Sequence, residues 1–388
     1  MTDTGFIRTV LREVRQLSSR RLYIFAMVVI PLGTMLFLLG LMRHGLPLHI
    51  PTAIIDLDNT VETRSIVREL NSTAEVDITE KADNYGEAVR LMKEGKIFGF
   101  FVIPRNFTRD AMAGRQPQLA YYTNSTFYIP GSLLYRSLRT TSTLTSASMV
   151  RAYLVGAGAT DRQVSAVLQP VRLQTIPLNN PWTNYSVYLA NSFVPCTLAL
   201  MILLVTSFSV CHEEKAGTSR QWLAGARDSM FVALWGKLLP QTVIFFAVGL
   251  LIQSALFGWL HYPLHCSAWT MVGTMLLFVL ANQSLAVFFC GILPNLRLAL
   301  SISSLTGVLS FSIGAFSFPL EQMYGGIGIF AYILPVRYYF LIYVDQALNG
   351  VPVYFSRLYF AALLVFLLLP FTVLPRLRKM CKQPAYVP

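Results

Sequence analysis

Long uncharged apolar runs alternate along the chain with short polar breaks. Five runs reach the roughly 20 residues that a helix needs to cross a bilayer: Leu22–Met42, Val187–Cys211, Leu238–Leu260, Trp269–Leu293 and Leu298–Phe318. A sixth, Leu358–Leu374, is shorter but carries no charge. The stretch Gly325–Val344 is also apolar, yet Gly325, Gly326, Gly328, Pro335 and Arg337 interrupt it. It predicts a broken or re-entrant segment lined by protein, leaving six spans.

Between the first and second runs the period changes from helical to alternating. TAIID, EVDI, IFGFFVIP and QLAYYTN read as strands, and TVETRSIVREL and NYGEAVRLMKEG as helices with apolar residues at helical spacing. Such alternation predicts a small α/β domain over residues 43–183. Within it, SLRTTSTLTSASM belongs to a long returning helix whose Ser/Thr-rich face is expected to meet solvent, with the lining of a polar cleft as the competing reading. The expected fold class is a polytopic α-helical membrane protein with six transmembrane helices and an α/β extracytoplasmic domain inserted between helices 1 and 2.

Composition supports a membrane rather than a soluble core. Of 388 residues, 54% are hydrophobic and 13% charged, about half the charged share of a soluble domain. Arg8, Arg12, Arg15, Arg20 and Arg21 precede the first span; Lys215, Arg220, Arg227, Lys237 and Arg297 follow later ones; and Arg376, Arg378, Lys379 and Lys382 close the chain. The loop 261–267 has no basic residue. This bias predicts both termini on the cytoplasmic side of the inner (plasma) membrane. The resulting division is a basic amphipathic helix over 1–21, spans at 22–42 and 187–211, a cytoplasmic coupling loop and short helix over 212–237, spans three to six within 238–375 with an outer re-entrant segment at 319–350, and a basic cytoplasmic tail over 376–388. The net charge of +12 calls for anionic lipid headgroups near the termini, and no nucleic-acid partner is expected.

Three chemical readings follow. Asp56-Leu57-Asp58-Asn59-Thr60 looks like the nucleophile strand of a haloacid dehalogenase-type phosphatase. However, no lysine follows Lys96 in that domain, and Asp110 and Asp161 are far apart, so Asp56 and Asp58 are expected to end a strand while Asn59 or Thr60 caps the next helix. His261, His265 and Cys266 are spaced like metal ligands but lack an acidic neighbour, and no metal site is expected. Of the five cysteines only Cys266 is expected outside, so the outer domain is held by its core, without disulfides.

Polar side chains inside apolar spans are costly and often functional. Asn191, Asn282, Gln283, Ser310 and Ser312 are therefore candidates for a substrate path, with interhelical hydrogen bonding as the competing reading. Phe193, Phe311, Phe316 and Phe318 could form an apolar gate, with lipid-facing packing as their default. Between spans two and three, CHEEKAGTSRQWLAGARDS packs Glu213, Glu214, Lys215, Arg220, Arg227 and Asp228 into one loop, with Gly217 as a helix breaker and Thr218 as the next N-cap.

The order Glu214-Lys215-x-Gly217-Thr218, directly after the second span, resembles the Glu-Lys/Arg-x-x-Gly-Thr signature of ABC-2 type exporter permeases, one residue shorter before the glycine. FSFPLEQM followed by LPVRYYF is similar to that family's proline-containing outer re-entrant region, through Pro319, Pro335 and Tyr338. The resemblance covers nearly the whole chain. It implies a transport subunit of the drug and small-molecule export branch, paired with an identical or paralogous permease and often with a periplasmic adaptor. It further implies that a cytoplasmic ATPase, which holds ATP and magnesium, pushes on Glu213, Glu214, Lys215, Gly217 and Thr218 and on the N-terminal helix with Arg12 and Arg15. The path or gate would include Asn191, Phe193, Asn282, Gln283, Ser310, Phe316 and Pro319. The chain itself has no phosphate-binding loop, since Gly95-Lys96 and Gly236-Lys237 lack the upstream glycine and the following Ser or Thr, so ATP must be hydrolysed by another chain. The alternative is a non-transporting membrane anchor or receptor whose outer domain binds an envelope partner or phage.

Overall fold

The computed structural model describes residues 3–42, 45–168, 180, 184–293, 295–314, 316 and 320–383. The chain divides into two compact units, His44–Ile176 and the remainder, Met1–Arg43 with Pro177–Pro388.

The larger unit is helical. It opens with α1 (Asp3–Ser19) and α2 (Arg21–Leu41). In the smaller unit, β1 (Ile50–Asp56), α3 (Val61–Asn71), β2 (Val76–Lys81), α4 (Tyr85–Lys93), β3 (Gly99–Ile103), α5 (Phe107–Met112), β4 (Ala120–Thr123), α6 (Tyr128–Gly156) and α7 (Asp161–Leu168) follow in order. The sheet runs β2-β1-β3-β4, with β1 parallel to β2 and β3, and β4 antiparallel to β3. Successive strand residues point to opposite faces, and both faces here are apolar. Ile50, Ile54, Phe101 and Ile103 pack with Ile66 and Leu70 of α3 and with Leu134 and Leu138 of α6. Ala53, Ile55 and Phe100 pack with Ala88 and Leu91 of α4. Covering on both sides explains why the central strands read as continuous apolar runs rather than strict alternation.

The remaining helices return to the larger unit: α8 (Tyr185–Lys215), α9 (Ser219–Gly225), α10 (Met230–Trp259), α11 (Ala268–Ile292), α12 (Leu296–Ile313), α13 (Gly325–Ala331), α14 (Pro335–Leu348) and α15 (Arg357–Lys382). Among the described residues six helices are long and apolar enough to span a membrane: α2, α8, α10, α11, α12 and α15. The pair α13 and α14, bent by 78°, is a broken span or re-entrant loop. Pro335 sets the bend, because it begins α14 without a donor N–H and restricts the residue before it. Helices α8 and α11 are largely enclosed by the others, while α2, α10, α12 and α15 leave much of their surface free for lipid. Small residues allow close approach at the centre. A Cβ on Gly307 of α12 would collide with the Leu200 side chain of α8, and Ser207 and Ser303 hydroxyls bond across the same pair at 2.7 Å.

The expected coupling segment 212–237 is mostly helix: α8 continues four residues past Cys211, α10 starts eight residues before Leu238, and α9 lies between them. The basic tail 376–388 is helical as far as Lys382, because Leu377 and Cys381 share one face and bury it. Residues 384–388 lie outside the described residues.

Candidate functional site

The motif after the second span is a helix ending. At the close of α8 the Gly217 N–H donates to Glu214 O at 3.0 Å and the Thr218 N–H to Glu213 O at 2.9 Å. This 5→2 and 6→1 pair is a Schellman cap, which needs a left-handed residue at the first position past the cap. Gly217 supplies it, with φ of 69°. Helix α9 follows at once and is firmly seated. Trp222 and Leu223 are buried against α10, and the Trp222 indole donates to Ala233 O at 3.2 Å. The end of α15 grips it as well, with Ser219 Oγ and Arg220 Nε donating to the carbonyls of Cys381 and Lys382, and Lys382 Nζ pairing with Asp228 at 3.1 Å.

Glu213, four residues after Ser209 on the same face of α8, points inward. Lys237 and Gln241 share one face of α10. On α1 the buried stripe recurs every fourth residue, at Gly5, Thr9, Glu13 and Leu17, and so places a carboxylate where an apolar residue is expected. These faces meet. Lys237 Nζ lies 2.8 Å from Glu13 Oε2, 2.8 Å from Glu213 Oε1 and 3.4 Å from Gln16 Oε1, which satisfies all three of its donors. Arg12 Nη2 is 2.6 Å from Glu213 Oε2, which also accepts from the Thr218 hydroxyl. Gln241 Nε2 reaches Glu13 Oε1 and Ser209 Oγ, each at 2.8 Å, and Ser209 Oγ donates to Glu13 Oε1 at 3.1 Å. Glu13 and Lys237 are 1% exposed and Glu213 is 2% exposed.

The cluster is electrically balanced, with two carboxylates, one ammonium and one guanidinium. It joins the N-terminal helix, the capped end of α8 and the start of α10. Backbone contact makes the joint tight. A Cβ on Gly236 would lie 2.8 Å from Thr9 Cβ, inside van der Waals contact, so a larger residue there would push α1 away from α10. On its other side α1 shows Ile7, Leu11 and Val14 exposed beside its arginines, the two-faced pattern of a helix lying in a membrane interface.

Of the residues that the sequence put forward for coupling, the structure brings Arg12, Glu213 and Thr218 into this cluster. Gly217 caps the helix that carries it. Glu214 is half-buried, Lys215 and Arg15 are exposed, and among the described residues none of the three forms an ion pair. Glu13, Gln16, Ser209 and Gln241 escaped notice, and Lys237 reads in the sequence only as an inside-facing flank charge, because Glu13 resembles one more charge on a basic helix and Lys237 an ordinary charge beside a span. Their one signal is position, a charge on the apolar stripe of α1 and another opening an apolar span.

The expected path residues do not form one site. Asn191, Asn282 and Ser310 donate to carbonyls one turn back in their own helices, Val187 O at 3.0 Å, Phe278 O at 2.8 Å and Thr306 O at 2.8 Å. Gln283 ties α11 to α10 by accepting from Thr242 Oγ1 at 2.8 Å. Phe193 meets Phe311 with ring centroids 5.4 Å apart. Phe316 meets Phe340 at 4.6 Å, and its carbonyl accepts from the Tyr188 hydroxyl. Pro319 and Phe318 lie outside the described residues.

The Asp-x-Asp stretch is a turn. Asp56 Oδ1 accepts the N–H groups of Asp58 and Asn59, and its Oδ2 the Thr63 hydroxyl. Thr60 is the N-cap of α3 in a reciprocal capping box with Thr63. Desolvation pushes the Asp58 carboxyl up, but the Thr108 N–H and hydroxyl and the Thr60 hydroxyl together outweigh it, holding Asp58 below its ordinary value. Among the described residues no group of His, Cys, Asp or Glu is placed to hold a metal.

A family model described as ABC-2 family transporter protein matches residues 21–374. No curated protein matches the chain.

Proposed function

The chain belongs to the ABC-2 family of transporter proteins, and on that premise we propose that it is the permease half of an ATP-driven exporter, moving small lipophilic molecules out of the cytoplasm or inner membrane. Membership makes it a transporter membrane subunit, and the family generally works with a cytoplasmic ABC ATPase. In this reading both termini are cytoplasmic, the sheet-containing unit lies outside, and a second permease, identical or paralogous, completes the path. ATP and magnesium stay on the ATPase.

The observation that carries the proposal is the buried cluster of Arg12, Glu13, Glu213 and Lys237. A force applied to α9, or to the exposed arginines of α1, enters elements locked to the ends of α8 and α10. Breaking a buried pair strands a charge at a cost of about 3–5 kcal/mol, so these elements move together rather than slip. Helix α8 is enclosed by the other spans and packs on α12, so displacing its end moves the centre of the bundle. Purification of the chain with a co-expressed cytoplasmic ABC ATPase, followed by a screen for compounds that stimulate ATP hydrolysis, tests the reading. Stimulation by a lipophilic class supports it. A chain that captures no ATPase overturns it in favour of a membrane anchor or receptor.

A further inference from the structure

A cleft of about 560 Å³ opens in the sheet-containing unit between α5, the turn after it and the long helix α6. Phe107 and Thr145, both buried, are among its lining residues; Leu119 and Met149 add apolar wall, and the exposed Tyr153 lines it further along α6. Among the described residues no charged one lines it. The hydroxyls of Ser142 and Thr145, one turn apart on α6, are buried and have no hydrogen-bond partner among the described residues. Their neighbours behave differently, since Thr140 and Thr143 donate to the carbonyls of Arg136 and Arg139 one turn back, as helical threonines usually do. The Ser/Thr-rich face of this helix therefore borders a cleft as well as solvent.

We propose that this cleft binds a small uncharged lipophilic molecule carrying a hydrogen-bond acceptor. Its volume falls in the range of about 300–1,000 Å³ typical of small-molecule pockets. Apolar walls without a counter-charge reject ions, because desolvating one there has no compensation. The two partnerless hydroxyls supply the selective contact, since each can swing between staggered positions and donate to an acceptor that enters. The site needs no ATPase, so it stands or falls separately from the export reading.

The test uses full-length protein in nanodiscs of phosphatidylethanolamine and phosphatidylglycerol, irradiated with benzophenone, an uncharged diaryl ketone, and mapped by peptide mass spectrometry. Cross-links should concentrate in segments 107–119 and 142–153. The near-isosteric double variant Ser142→Ala/Thr145→Val should cut that labelling about fivefold for each hydrogen bond lost. Ala111→Trp, which fills the cleft, should abolish it, and an anionic sulfonated benzophenone should label these segments about tenfold less than the neutral probe. Labelling spread over the spans without enrichment here, or enrichment unchanged in the double variant while its melting matches wild type, overturns the proposal. If Ala111→Trp disturbs folding, the double variant and the charged probe still decide.

Discussion

Two pairs of carboxylates in this molecule, one close together in the sequence and one brought together from 200 positions apart, behave in opposite ways. Asp56 and Asp58 answer to backbone N–H groups and threonine hydroxyls at a turn open to water. Glu13 and Glu213 answer to Lys237 and Arg12 among helices where water is excluded. In the turn each carboxylate fixes a local backbone shape, and losing one loosens a few residues. In the buried cluster each charge is what makes its partner tolerable, and losing one leaves the other stranded in a low-dielectric setting. The burial of a charge, more than its presence in a motif, decides how far its loss is felt.

The largest effect should come from Lys237→Met, which sets Glu13 and Glu213 against each other without a cation between them. A loss of about 3–5 kcal/mol is expected, seen as a sharp fall in the heat-aggregation midpoint of the solubilised chain. Adding Glu13→Gln restores charge balance, with Arg12 still facing Glu213, and should recover much of that loss in a double-mutant cycle. Additive losses would mean that the two residues do not interact.

Gly217→Ala comes next. A Cβ at φ of 69° strains the cap, at about 1 kcal/mol, and hydrogen exchange should quicken in peptides covering 212–226 while the sheet unit is unchanged. Comparable in size and more local is Asp56→Ala, which removes the hydrogen bonds from Asp58, Asn59 and Thr63 that shape the turn before α3, at about 1–3 kcal/mol for hydrogen bonds to a charged group, and should raise exchange only near residues 53–71. Smallest is Glu214→Gln, half-buried and without an ion pair among the described residues, expected below about 0.5 kcal/mol. A collapse on this change would show that Glu214, rather than its neighbour, anchors the turn.

Acid separates the regions further. Asp58 is held below its ordinary value in the folded chain, so it contributes stability that is fully present above the ordinary carboxylate range and is lost as pH falls through the lowered folded value. Exchange of the peptides around residues 56–63 and 107–112 should therefore quicken on acidification, and Asp58→Asn should flatten that dependence. An unchanged acid profile in Asp58→Asn would remove Asp58 as its cause.

Most of the fold was legible because it rests on local periodicity. The four strands and the helices between them follow from alternation and helical spacing, and the spans from length and lack of charge. Their ends were less legible, since α8 and α10 run on through charged residues that normally mark a loop. The physical reason is that those charges meet partners far away in sequence; Lys237 finds Glu13 from 224 positions off. Half of the candidate site was visible for the same reason. Gly217 and Thr218 announce a helix end through local chemistry, whereas Glu13 and Gln241 look ordinary until three helices are brought together.

In the proposed coupling the buried cluster carries force from the ATPase into the spans as well as holding helices together. The most direct measurement is ATP hydrolysis by the purified complex of the chain with its ATPase, with and without lipophilic compounds, for wild type and for the compensated variant Glu13→Gln/Lys237→Met. The compensated variant should fold and retain the ATPase, yet its hydrolysis should no longer respond to compounds that stimulate wild type. A response equal to that of wild type would contradict the claim and leave the cluster as a structural brace.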